Sequence, residues 1–220
     1  MRYPLYLLLV LPLVACQPQH DTSNQTERNT APAGDTTAST VPATPAQPTA
    51  PDSAFLIIPG ESIGQVHLNM TAEELNQALG KPDSGDAAMG KALSFWVSRK
   101  SNPREYVAVY TVNNFDGTGS PAKVQQVQVT SPAFQTSEGI STGVALARIR
   151  EAFSPLQPLA YYTNDQKQQV YIYDNQAQGI AFEVTVPDST CTAITVHQKG
   201  EDVTQSYLPV HPDLTRLGKR

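Results

Sequence analysis

The chain has 220 residues, of which 15 are basic and 20 acidic, and its formal net charge at pH 7 is −5. The basic residues form no stripe or cluster, so the composition argues against a nucleic-acid-binding protein.

The amino terminus has the pattern of an export signal. Arg2 precedes an apolar run from Tyr3 to Val14, and the run leads into Cys16. A helix of this length is too short for a bilayer, which needs roughly 20 apolar residues. Residues 1–15 are therefore predicted to be a cleavable signal peptide.

The tetrapeptide Leu13-Val14-Ala15-Cys16 resembles the lipobox of bacterial lipoproteins. The resemblance implies that Cys16 is lipidated and begins the mature chain, which anchors the protein to a membrane without spanning it. Gln17 follows the cysteine where inner-membrane lipoproteins carry Asp, which favours the outer membrane. The expected location is an outer-membrane lipid anchor, with the domain in the periplasm or at the cell surface. The alternative is ordinary secretion with cleavage after Ala15, although Leu13 is large for that signal.

Residues 16–53 are predicted to be a disordered tether. The segment is rich in Thr and Pro, and Val41 is its only large apolar residue after Cys16. Such a composition cannot bury enough apolar surface to offset the entropy lost on ordering.

Residues 54–200 have the periodicity of a folded domain. Thr71-Ala72-Glu73-Glu74 is a capping-box sequence, and the helix that it opens is expected to end at Gly80. Phe55–Ile58 is a short strand candidate. Further strands are predicted in three segments that follow the helix: 93–98, 106–113 and 123–130.

The plan then repeats, with a helix predicted at about 144–153 and strands at 159–163, 169–174, 179–186 and 190–198. The helical segments 74–80 and 148–154 align at an offset of 74 residues, and their apolar positions coincide. We expect an α+β fold of two repeated units, at about 54–131 and 132–200, each with a helix packed on antiparallel strands.

Residues 66–82 and 139–153 resemble the tandem αβ repeats of the β-lactamase-inhibitory-protein type and the SmpA/OmlA-type lipoprotein of the barrel-assembly machinery. The shared pattern includes Val66, Leu68, Met70-Thr71 and Leu79-Gly80. Residues 57–64 also resemble uncharacterised bacterial lipoproteins. These resemblances imply a lipoprotein that binds other proteins through a sheet face.

Two patterns that suggest catalysis or metal binding have simpler explanations. Gly139-Ile140-Ser141-Thr142-Gly143 matches G-x-S-x-G, but residues 135–138 are not the buried strand that a nucleophile elbow requires. The four histidines have no metal-ligand spacing. We therefore expect no enzyme activity, no metal and no cofactor, and a serine hydrolase at Ser141 is a minor alternative.

Aromatic residues in the strands are the main candidates for partner binding. If the aliphatic sides of the strands face the helices, the aromatic side chains fall together on the uncovered face. The predicted partner-binding residues are Trp96, Tyr106, Tyr110, Tyr171 and Tyr173.

The leading expectation is a membrane-anchored envelope lipoprotein that binds an unidentified envelope protein without catalysis. A carrier of lipid or another small ligand is the alternative. With Cys16 acylated, Cys191 is either a buried thiol or part of an intermolecular disulfide. The tail at 201–220 either packs as an extended strap or hangs free.

Overall fold

A computed structural model describes residues 52–113, 119–204, 211 and 213–218. The predicted signal peptide, Cys16 and the tether up to residue 51 lie outside the described residues. Neither α-helix in the described part of the chain is long and apolar enough to cross a membrane.

The described residues form two α-helices, α1 (Ala72–Leu79) and α2 (Leu146–Ala152), and a 3₁₀ turn at Ser53–Phe55. The strands in these ranges are β1 (Leu56–Ile58), β2 (Ser62–Ile63), β3 (Val66–His67), β4 (Ser84–Ala88), β5 (Lys91–Val97), β6 (Tyr106–Val112), β7 (Lys123–Val129), β8 (Gln135–Thr136), β9 (Gln157–Thr163), β10 (Gln169–Asn175), β11 (Ile180–Val186), β12 (Cys191–His197) and β13 (Thr215–Arg216).

The strands form one large and one small sheet. The large sheet has nine strands in the order β13-β9-β10-β11-β12-β7-β6-β5-β4, and all of its pairings are antiparallel. It contains two four-stranded meanders, β4 to β7 and β9 to β12, which join where β7 pairs with β12. The small sheet has the order β3-β2-β1-β8, and its β1–β8 pairing is parallel.

The predicted α+β fold of two separate helix-on-sheet units is wrong. Strands make up 44% of the described residues, and the helices with the 3₁₀ turn make up 12%. The pairing of β7 with β12 makes the large sheet continuous. The apolar periodicity located the strands of both meanders except β4, but it carries no information on which strands pair across the chain. The sequence reading also missed the short strands β2, β3, β8 and β13.

The first predicted helix is confirmed. In α1 the hydroxyl of Thr71 accepts a hydrogen bond from the amide of Glu74, and the Glu74 carboxylate accepts one from the amide of Thr71. The hydrogen bonds that the Glu74 carboxylate accepts from the amide and the hydroxyl of Thr71 lower the pKa of this carboxyl group. Gly80 follows the helix at φ 72°, a left-handed conformation that glycine adopts without strain.

Replacing Thr71 with Ala is expected to lower the free energy of unfolding by about 1 kcal/mol, because α1 loses its side-chain cap. Thr71→Ser keeps the hydroxyl and serves as the matched control. The measurement is equilibrium denaturation followed by circular dichroism, and equal stability of the two variants would contradict the capping role.

The main core lies on one side of the large sheet, called here the helix face. Val109, Val127 and Phe182 of the sheet pack there with Ile149 of α2 and Ile57 of the small sheet. The opposite side is called the strap face, because the C-terminal strap packs on it. The strap consists of the described residues 201–204, 211 and 213–218. In these described residues the tail therefore packs on the sheet as a strap, which is the first of the two alternatives that the sequence left open.

Candidate binding surfaces on the two sides of the sheet

The five aromatic residues predicted to form one binding face do not share a face, so that part of the prediction is wrong. Trp96, Tyr171 and Tyr173 lie on the helix face, whereas Tyr106 and Tyr110 lie on the strap face.

Trp96 belongs to the packing under α1. Its ring lies against the main core, and its indole Nε1 donates a hydrogen bond to the carbonyl of Gly80 at 3.1 Å. Four strands separate β5 from β10 in the sheet, which places Trp96 about 24 Å from Tyr173 at the usual strand spacing. Trp96 is therefore not a neighbour of Tyr171 and Tyr173 on the helix face.

Tyr106 and Tyr110 lie on the strap face with Leu93, Phe95 and Ala108. The ring of Tyr106 meets that of Phe95 edge to face, with 5.6 Å between the centroids. Tyr110 is only 4% exposed. Both tyrosines serve the packing of this side of the sheet.

Tyr171 and Tyr173 do come together, with a third residue that the sequence reading missed. Tyr161 of β9 is directly opposite Tyr171 in the strand register, and their ring centroids are 5.6 Å apart. The Tyr171 and Tyr173 centroids are 6.4 Å apart, and the Arg150 guanidinium of α2 lies 5.4 Å from the Tyr173 centroid. These three tyrosines, all partly exposed, are called the tyrosine row.

The error about faces has a physical cause, which is that the large sheet is covered on both sides. In β6 the aliphatic residues Val107 and Val109 do face the helices. In β10, however, Ile172 packs on the other side with Val203 and Leu214 of the strap. Alternation along a strand separates its two sides but does not say which one meets the helices.

The strap face contains a buried carboxylate that the sequence reading also missed. Glu183 of β11 is 4% exposed. Its Oε1 accepts a hydrogen bond from Gln128 Nε2 at 2.8 Å, and its Oε2 accepts one from the Tyr162 hydroxyl at 2.7 Å. Nε2 of His211, from the strap, lies 3.2 Å from Glu183 Oε1. The Tyr106 hydroxyl donates to Gln128 Oε1 at 3.2 Å and extends the network.

The network sets the protonation of its members. Burial raises the pKa of Glu183, but the hydrogen bond and charge of His211, with the hydrogen bonds from Tyr162 and Gln128, outweigh burial and lower that pKa below its usual value. Burial and the nearby Glu183 carboxylate raise the pKa of the Tyr162 and Tyr106 hydroxyls. At neutral pH the network is therefore an ionised acceptor surrounded by donors.

A second buried pair holds the start of the strap. Asp174 Oδ1 lies 2.9 Å from Nε2 of His197, and the side chains are 1% and 2% exposed. Asp174 Oδ2 accepts a hydrogen bond from the amide of Val203 at 3.1 Å. Nδ1 of His197 lies 3.0 Å from the carbonyl oxygen of Gln198. Both ring nitrogens of His197 thus face oxygen atoms of neighbouring groups.

The sequence carried one signal for the buried carboxylate. Glu183 is the only charged residue of β11 (Ile180–Val186), which is otherwise built of apolar residues and Thr185. A lone acid at the centre of such a strand is uncommon unless it has a partner. The partner, His211, is 28 residues away in the tail, and no spacing rule connects the two positions.

The other sequence candidates occupy ordinary structural positions. Ser141 is partly buried, and its hydroxyl donates to the carbonyl of Thr142 at 3.2 Å. Among the described residues, no three His, Cys, Asp or Glu side chains are grouped as a metal site requires. Cys191 is a buried free thiol, and burial raises its pKa. That placement disfavours the intermolecular disulfide left open by the sequence.

No protein-family model matches this chain, and no curated protein matches it. The chain is similar to the crystal structure of a DUF4309 family protein from Bacillus subtilis, with 13% identity and a TM-score of 0.38, over 64% of this chain and 88% of that one. It is also similar to an extracellular protein containing a SCP domain from Bacillus anthracis, with 11% identity and a TM-score of 0.39, over 70% of this chain and 50% of that one. Likenesses this weak support no conclusion about this protein.

Proposed function

We propose that this protein is a lipid-anchored envelope lipoprotein whose domain binds a protein partner through the tyrosine row. The observation that carries the proposal is the packing of Tyr161, Tyr171 and Tyr173 side by side, partly exposed, with Arg150 beside them. Tyr and Arg are enriched among the residues that dominate binding energy at protein interfaces.

The row suits a contact surface for two physical reasons. Tyrosine offers a large rigid ring with few rotatable bonds, so little conformational entropy is lost on binding. Tyr173 and Arg150 are already positioned by packing on the core and by the cation–π contact, which further lowers that cost. A lipid on Cys16 would hold such a binding domain at the membrane.

The expected result is that Tyr161→Ala and Tyr171→Ala each reduce recovery of the bound partner from intact envelopes by about tenfold or more, the effect of losing a hot-spot residue. Neither side chain belongs to the main core cluster, so the melting temperature should stay close to that of the wild type. The measurement is affinity purification from cross-linked envelopes with quantitative mass spectrometry.

Phe55→Ala is the matched control, because Phe55 is 43% exposed and lies outside the row. Recovery that is equal for the control and both tyrosine variants would contradict the proposal. In the same preparations, Cys16→Ser should release the protein from the membrane fraction, and mass spectrometry should find no acylated cysteine. Retention of that variant in the membrane fraction would contradict the anchor and leave the tyrosine result to be judged separately.

A further inference from the structure

The strap face contains a group of side chains whose chemistry fits a planar cation. The group consists of the ring of Tyr162, the carboxylate of Glu183 and the side-chain amide of Gln128, and it is called the cation slot. The ring of His211 stacks on Tyr162 with 3.5 Å between the centroids and 13° between the planes. His211 Nε2 also reaches Glu183 Oε1 at 3.2 Å, so the strap fills the slot with its own side chain.

The carboxylate of Glu183 lies among neighbours on β10 and β11 that carry no charge. On the strap face of β11, Glu183 stands between Ala181 and Thr185, and Ile172 of β10 is directly opposite. Burying a carboxylate is unfavourable unless a basic group and hydrogen bonds compensate for the lost hydration. Among the described residues, the basic side chain that faces Glu183 is His211, and the other titratable groups that act on the slot are Tyr106, Asp213 and Cys191.

His211 precedes strand β13, which pairs with the sheet over a short length. Strand β13 pairs with β9 at only two positions, Thr215 and Arg216, whereas β9 pairs with β10 at six. At the start of the strap the Asp174 carboxylate accepts a hydrogen bond from the Val203 amide, and Leu214 and Arg216 also contact this part of the strap. The contacts described for the His211 side chain itself are the stack on Tyr162 and the approach to Glu183.

We propose that the cation slot is a binding site for an arginine side chain of a partner peptide, and that His211 is an intramolecular occupant that competes for it. A guanidinium group stacks on an aromatic ring and donates to a carboxylate with the same planar geometry that His211 uses. Glu183 Oε1 would accept the charge-assisted hydrogen bond from the guanidinium group. Hydrogen bonds from Tyr162 and Gln128 hold the carboxylate in place. This site is on the opposite side of the sheet from the tyrosine row, so it is independent of the proposed function.

The test is a titration of the full chain with N-acetyl-L-argininamide, followed by saturation-transfer NMR. His211→Ala should bind this probe at least about tenfold more tightly than the wild type, because a tethered competitor acts at an effective concentration in the millimolar range. Adding Glu183→Gln to His211→Ala should weaken binding by about tenfold, since the charge-assisted hydrogen bond is lost. N-acetyl-L-citrullinamide, which has the same shape without the charge, should not bind saturably.

The proposal is overturned if folded His211→Ala gains no affinity, if Glu183→Gln leaves binding unchanged, or if the citrulline probe binds equally well. Cooperative thermal unfolding shows whether each variant is folded. Should His211→Ala fail to fold, His211→Gln replaces it, because glutamine keeps a donor for Glu183 and removes the ring and the charge. Tyr171→Ala should bind the probe as the wild type does, which keeps this result separate from the partner-recovery experiment.

Discussion

Replacing Glu183 with Ala is expected to lower the free energy of unfolding by about 3–5 kcal/mol, the usual cost of removing one member of a buried ionic network. The variant leaves the Tyr162 hydroxyl, the Gln128 amide and His211 Nε2 without their common acceptor. Tyr162 is 7% exposed and Gln128 is 3% exposed, so water cannot easily replace the carboxylate. Urea denaturation followed by far-UV circular dichroism measures the loss.

Glu183→Gln is the matched control, because it keeps the shape and one acceptor but removes the charge. Its loss of stability should be smaller than that of Glu183→Ala and should depend less on pH. The Glu183 pKa is lowered in the folded protein from its ordinary value of 4.5. Its contribution to stability is therefore fully present above about pH 4.5 and is lost as the pH falls through the lower folded-state pKa.

The acid limb of the stability curve thus provides a second measurement on the same variants. Wild-type stability should fall more steeply with acidification than that of Glu183→Gln, because only the wild type must protonate this buried carboxylate. Parallel acid limbs for the two proteins, or an Ala variant as stable as the wild type, would show that the network contributes little.

Asp174→Ala is expected to lower the free energy of unfolding by about 3 kcal/mol or more, because it breaks a buried pair from one side. His197 would lose the acceptor of its Nε2, and the Val203 amide would lose the acceptor that fixes the strap. Denaturation of the single variants Asp174→Ala and His197→Ala and of the double variant measures the coupling.

The double variant should be clearly less destabilised than the sum of the two single variants, because the second replacement removes a group that the first left unpaired. Hydrogen exchange should also show faster exchange at Val203 in Asp174→Ala, whereas the Leu75 amide in α1 should be unaffected. Additive losses of stability would contradict a direct Asp174–His197 interaction.

Local signals in the sequence were sufficient for much of the secondary structure. The capping box at Thr71 and Glu74 located α1, and alternation of apolar residues located both meanders except β4. These features depend on contacts between residues close in the chain, which is why they could be read without the fold. Strand β4 (Ser84–Ala88) was missed because it is exposed throughout and has no apolar alternation.

The candidate sites divide in the same way. Tyr171 and Tyr173 could be placed together from the sequence, because side chains two positions apart on one strand lie on the same side of the sheet. Tyr161 and Arg150 join them through strand register and helix packing, and Glu183 meets His211 through the path of the tail.

By itself the sequence determined the positions of the local elements and the two sides of each strand, since both follow from the periodicity of neighbouring residues. The tertiary structure alone decided that β7 pairs with β12 and that the strap covers one side of the sheet. Those contacts join residues far apart in the chain, and their free energy comes from burying surfaces and pairing charges that only the folded chain brings together.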